Sequence, residues 1–171
     1  MSNGSGISLR LAETQAELDC IEQLMQLYMY ELSLWYPLAV QFDGRFKLQP
    51  KAEYFARSAV HPYLLYMDSE LIGFAVVDDE LLDARYDYSL GYFFILRRYQ
   101  GRGLGVAVLA ELFKRYAGRW EIYYLRENQP AAAFWPKALS RVGTKDMQVS
   151  SEVIHDEVCV MYRFEIQEQC S

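Results

Sequence analysis

Groups that could carry metal or redox chemistry are scarce in this chain, which has two histidines, His61 and His155, and three cysteines, Cys20, Cys159 and Cys170. An odd number of cysteines with no CxxC spacing argues against a zinc site or a disulfide framework, so the thiols read as buried or idle and no metal is expected. Long apolar runs are missing as well. Nothing approaches the roughly 18 to 20 residues that cross a bilayer, and the opening Met1-Ser-Asn-Gly-Ser-Gly6 has neither a basic nor an apolar signal region. A cytoplasmic protein without a membrane partner is expected, with residues 1–6 as a flexible leader, 7–166 as one folded domain and 167–171 as a short tail. Charge is sparse too, at 23% of residues with a net of −6. That balance disfavours a nucleic-acid partner and suits a cationic small molecule or amine.

What is present is apolar and aromatic: 52% of the 171 residues are hydrophobic and 15% aromatic, enough for one buried core. No repeat or Pro/Gly/Ser-rich linker divides the chain. A short strand at Ile7 to Leu11 precedes Thr14 to Leu34, where Leu18, Ile21, Leu24, Met25, Tyr28 and Leu32 recur at helical spacing behind a Thr14/Glu17 capping box. Pro50 suits the first turn of a second helix over Ala52 to Ala59. Tyr63 to Met67 and Leu71 to Val77 flank a turn and read as a hairpin. An acidic loop, Asp78 to Asp87, leads to a buried strand from Tyr88 to Leu96. Helical spacing returns at Leu104, Val108, Leu112 and Tyr116, with Gly118 as the expected stop. Trp120 to Leu125 reads as a strand, Pro130 to Leu139 as a helix that Pro136 should kink or delay, and Met147 to Val149 with Val158 to Ile166 as a closing hairpin. The predicted fold is α/β (α+β), a mixed and mostly antiparallel sheet flanked by about four helices in the order β-α-α-β-β-β-α-β-α-β-β.

Between the buried strand and its helix lies Gln100-Gly-Arg-Gly-Leu-Gly105. A glycine-rich turn here aims several main-chain N–H groups one way, and the helix dipole adds to their pull on an anion. Arg97, Arg98 and Arg102 add positive charge. The loop has no GKS or GKT ending and follows several strands, which argues against a nucleoside-triphosphate or dinucleotide fold. A solvated structural turn is the competing reading.

The run Phe93-Phe-Ile-Leu-Arg-Arg-Tyr-Gln-Gly-Arg-Gly-Leu-Gly-Val106 resembles the acyl-CoA motif [Q/R]xxGxG of the GNAT superfamily of N-acetyltransferases, with Gln100, Gly103 and Gly105 in its defining positions. Asn128-Gln-Pro-Ala-Ala-Ala-Phe-Trp135 resembles that superfamily's second motif, NxxAxxFY. The resemblance covers Ile7 to Ile166 and implies a GNAT-like fold with acetyl-CoA as co-substrate. It implies pantetheine against the main chain of Phe93, Phe94 and Ile95, pyrophosphate over Gly101, Arg102, Gly103, Leu104, Gly105 and Val106, and Asn128 on the pantetheine arm. Asn128 could equally cap the following helix.

Direct acetyl transfer to an amine requires removal of a proton and stabilisation of the oxyanion and thiolate. In the resembling enzymes a carboxylate or water chain takes the proton and a tyrosine of the second motif protonates the thiolate. Here Trp135 stands where that tyrosine would be, and an indole N–H is a very poor acid. Tyr92 occupies a place where related sequences can carry glutamate. Tyr92 and Asp87 are the candidates for proton handling, with Glu31 as an outside choice. The expected activity is acetylation of a primary amine on a small molecule or peptide; the alternative is a non-catalytic acyl-CoA sensor. Fourteen tyrosines make a homodimer unsurprising.

Overall fold

The computed structural model describes residues 6–48 and 51–168. Its elements are β1 (Ile7–Leu11), α1 (Gln15–Leu32), α2 (Lys51–Phe55), β2 (His61–Met67), β3 (Glu70–Asp78), β4 (Tyr88–Ile95), α3 (Leu104–Arg115), β5 (Gly118–Leu125), α4 (Gln129–Arg141), β6 (Lys145–Ile154) and β7 (Glu157–Ile166), in the order expected from sequence. Pro50, expected in the first turn of α2, lies outside the described residues.

Local chemistry accounts for the helix boundaries. The Thr14 hydroxyl accepts from the Glu17 amide while the Glu17 carboxylate accepts from the Thr14 amide, closing both ends of the capping box at the start of α1. The α3 helix stops at Arg115, before the expected glycine; Gly118 instead opens β5 with φ 144°. Asn128 caps α4 by accepting from the Ala131 amide at 3.1 Å. The helix then begins at Gln129 and continues through Pro136 to Arg141, so Pro136 does not delay it.

The strands form one seven-stranded sheet ordered β1-β2-β3-β4-β5-β7-β6. All neighbours are antiparallel except β4 and β5, whose connection passes through α3 and returns them parallel. Helices cover both faces at β3 and β4. Ile21, Leu24 and Met25 of α1 pack with Phe74, Val76 and Phe94 on one side. Leu109 and Leu112 of α3 and Leu139 of α4 pack with Ala75, Val77 and Ile95 on the other. Successive strand residues point to opposite faces, so Val76 and Val77 serve different cores, which is why β3 reads as a continuous apolar run. Among the described residues no helix is long and apolar enough to cross a membrane.

Candidate active site

The parallel pair is brief. Tyr88 lies beside Trp120 and Ser89 beside Glu121, and no later residue of β4 pairs with β5. β4 keeps β3 as far as Ile95, and β5 keeps β7 from Gly118 to Leu125, so the two halves of the sheet part beyond Ser89. Residues 90–95 and 122–125 thereby turn main-chain donors and acceptors without a strand partner towards the gap. The gap opens into a cavity of about 810 Å³, with Phe93 on one wall, Tyr123 and Tyr124 on the other, and Asn128 and Trp135 at its α4 side.

The glycine loop lies past the open end of β4 and is pinned on three sides. Its first part is a 3₁₀ turn at Arg97–Tyr99. The Tyr99 hydroxyl donates to Glu70 at 2.7 Å, the Gln100 amide donates to the Ile95 carbonyl at 2.7 Å, and Arg97 makes a two-pronged pair with Glu31 at 2.6 and 2.8 Å. Arg97 is therefore occupied away from the loop, leaving Arg98 and Arg102 as its exposed cations. Gly103 takes φ 76° as the N-cap of α3, a left-handed conformation that glycine adopts without strain, and its side offers no capping bond. The first-turn amides of Leu104, Gly105 and Val106 have no intrahelical acceptor and point outward. Around Gly101 and Gly103 there is open space where a Cβ would stand. Gly105 has a packing role too: a Cβ there would lie 2.8 Å from the Phe134 ring of α4.

The same cavity continues from the gap into a chamber on the α1 and α2 side. The register of β3 on β4 passes from Val76 opposite Tyr92 to Val77 opposite Leu90, leaving Gly91 as the extra residue of a β-bulge. Asp78 ends β3, exposes only 2% of its surface and lines the cavity. One of its oxygens accepts from the Tyr54 hydroxyl of α2 and the other from the Glu80 amide at 3.1 Å. Burial pushes the Asp78 carboxyl above the usual carboxylate range, although both hydrogen bonds pull it back. Burial and the neighbouring Asp78 charge likewise raise the Tyr54 phenol. Tyr92 packs edge-on against Tyr28 at 5.7 Å and Tyr54 at 6.3 Å. Burial, reinforced by Asp78 and Glu80, pushes it up to about 12, so it remains a neutral donor near pH 7.

The sequence candidates divide accordingly. Tyr92, Phe93 and Asn128 line the cavity. Phe94 is buried on the α1 side, and the Ile95 carbonyl accepts from Gln100. Asp87 does not line the cavity: its carboxylate takes the Arg119 amide at 2.8 Å and faces the Arg119 guanidinium, which holds it below the usual range. Glu31 is tied to Arg97. Sequence reading missed Asp78, which it placed in the acidic loop, and Tyr54. The alternation Phe74, Val76, Asp78 was the available signal, since it continues an inward-facing row by one residue. Among the described residues no group of three or more His, Cys, Asp or Glu side chains gathers to hold a metal.

A mixed sheet that splits between parallel strands, with a glycine loop opening a helix beside the split, is the arrangement that the resemblance to GNAT sequences implies. The sequence profile of the acetyltransferase (GNAT) family matches residues 23–139. This chain belongs to the GNAT acetyltransferase family and is an enzyme of that type. Comparison with curated proteins finds no significant match. Solved structures share the fold at low identity. An aminoglycoside acetyltransferase in complex with coenzyme A is 16% identical with a TM-score of 0.65, covering 93% of this chain and 94% of its own. The ribosomal-protein-S18-alanine N-acetyltransferase from Escherichia coli is 17% identical with a TM-score of 0.55, covering 96% and 97%. A spermidine N-acetyltransferase from Vibrio cholerae is 13% identical with a TM-score of 0.56, covering 96% and 95%.

Proposed function

We propose that this protein transfers an acetyl group from acetyl-CoA to the primary amine of a small molecule or peptide by direct attack, the acceptor arriving as a cation. The observation that carries this reading is the parting of β4 from β5 beside the glycine loop. The open space at Gly101 and Gly103 and the unpaired first-turn amides fit a pyrophosphate, with Arg98 and Arg102 alongside. The free strand edge fits a pantetheine amide chain against the main chain of Phe93, Phe94 and Ile95, with Asn128 across the gap. When bound, the co-substrate supplies an activated acetyl thioester. The neutral Tyr92 hydroxyl then serves as a donor to charge that develops on oxygen or sulfur. Asp87, fixed on Arg119 outside the cavity, is given no part. Structural neighbours named for spermidine, an aminoglycoside and a ribosomal-protein alanine support an amine as acceptor.

Calorimetric titration with acetyl-CoA and with ATP tests the reading on the wild type, Gly103→Trp and Asn128→Ala. Preferential acetyl-CoA binding that Gly103→Trp abolishes and Asn128→Ala weakens is expected, followed by thiol release when amines are supplied. No binding at millimolar acetyl-CoA overturns the reading. Binding without turnover of any amine would favour a sensor.

A further inference from the structure

The chamber beside the gap contains one buried carboxylate, and its position in the sheet is specific. Asp78 pairs with Ser89, and Ser89 pairs with Glu121 in the last contact before β4 and β5 part. Asp78 therefore stands in the row at the fork, one residue from where the free main-chain edge begins. Alternation along β3 turns Asp78 to the same side as Phe74 and Val76, and the bulge at Gly91 turns Tyr92 to that side as well. Gly91 has no side chain to cover the carboxylate; a Cβ there would lie 2.2 Å from Asp78 Oδ2.

We infer that Asp78 takes the proton of the acceptor ammonium, that Tyr54 positions it, and that the chamber receives an amine carried on an aryl or alkyl body. This rests on the N-acetyltransferase reading above. The walls are Tyr28, Tyr54 and Tyr92 together with Met25 and Met29, surfaces that accept an apolar body and face a cation with ring π-density. Among the described residues, the groups that bear on the charge of Asp78 are the phenols of Tyr54 from α2, Tyr92 from β4 and Tyr123 from β5, and the carboxylates of Asp79 and Glu80 from its own segment. Arg57, just after α2, also lines the cavity and is engaged by Asp79 and Glu80. No guanidinium pairs with Asp78 among the described residues, so an incoming ammonium meets a carboxylate free to accept from it.

The step balances. An ammonium N–H bond breaks and leaves its proton on Asp78. The freed lone pair forms the N–C bond to the acetyl carbonyl carbon. The C–S bond breaks with its electron pair on sulfur, the second nitrogen proton ends on that sulfur, and Asp78 returns its own proton to water. Amide and thiol are released.

The test follows thiol release with acetyl-CoA and phenethylamine across pH, with spermidine as the comparison amine and acetyl-CoA affinity measured by calorimetry in every variant. Wild type is expected to prefer phenethylamine. Asp78→Asn should lose about 10²-fold or more in kcat/KM with acetyl-CoA affinity unchanged. Tyr54→Phe removes one hydroxyl, and because that hydroxyl lowers the Asp78 pKa, the acidic limb of the pH profile should move to higher pH. A merely structural tyrosine would leave the limb in place. A wild type that fails to bind acetyl-CoA sinks the N-acetyltransferase reading itself. A wild type that binds acetyl-CoA and acetylates spermidine but ignores phenethylamine, an Asp78→Asn variant with undiminished rate, or a Tyr54→Phe limb that stays put overturns this inference alone.

Discussion

Replacing Gly91 with alanine isolates the contact between the bulge and the buried pair. Gly91 is absent from the left-handed glycines, so an alanine main chain adopts its conformation without strain. All of the effect must therefore come from the new methyl. It would sit 2.2 Å from Asp78 Oδ2, too close for the carboxylate to remain, and 3.0 Å from the Tyr54 hydroxyl, which must give slightly. Displacing the carboxylate breaks the Tyr54–Asp78 bond while Asp78 stays buried at 2% exposure. A buried polar group left unsatisfied destabilises by about 1–3 kcal/mol, more when charged. For a chain of this size each kcal/mol lowers the melting temperature by about 2–4 °C, so Gly91→Ala should melt about 2–12 °C below wild type. Urea unfolding and a thermal scan read both quantities. Repeating the substitution in an Asp78→Ala background removes the atom that the methyl meets first, and the further loss there should fall below about 1 kcal/mol, the coupling expected of residues in contact. Full wild-type stability for Gly91→Ala, or an equal loss in both backgrounds, would refute the packing described.

Three further substitutions test other parts of the fold. Asp78→Asn should change how stability varies with pH: the raised carboxyl binds its proton more tightly folded than unfolded, so its contribution falls as pH rises from about 4 through the folded pKa. The stability of Asp78→Asn relative to wild type should therefore grow between pH 4 and 7 in parallel urea titrations, and a flat difference would contradict the burial argument. Arg163→Ala leaves Glu121, 1% exposed and otherwise held by the Leu82 amide, without its cation. A loss of about 3–5 kcal/mol is expected on unfolding, with most of it recovered by Glu121→Leu and Arg163→Met together. Thr14→Ala should lower stability by about 1 kcal/mol with an unchanged denaturant slope, since it removes only the cap of α1.

The sequence by itself determined the elements and their order, because each depended on neighbours along the chain. The Thr14/Glu17 box, the 3.6-residue spacing in α1 and α3, and the turn residues between β2 and β3 all act within a few positions. It also revealed the glycine loop, whose role depends on main-chain conformation at adjacent residues. Helix ends were less legible: Gly118 could stop a helix or open a strand, and its place at the start of β5 depends on pairing with Ile166, far away in sequence. Only the tertiary structure decided where the sheet parts, because that depends on β4 meeting β5 for two residues and no more. It likewise withdrew Arg97 to Glu31 and Asp87 to Arg119, across separations of 66 and 32 residues. Asp78 and Tyr54 lie 24 residues apart and meet beside a bulge. No local pattern encodes that meeting, since a bulge shifts register by one residue and moves every later side chain to the opposite face of the sheet.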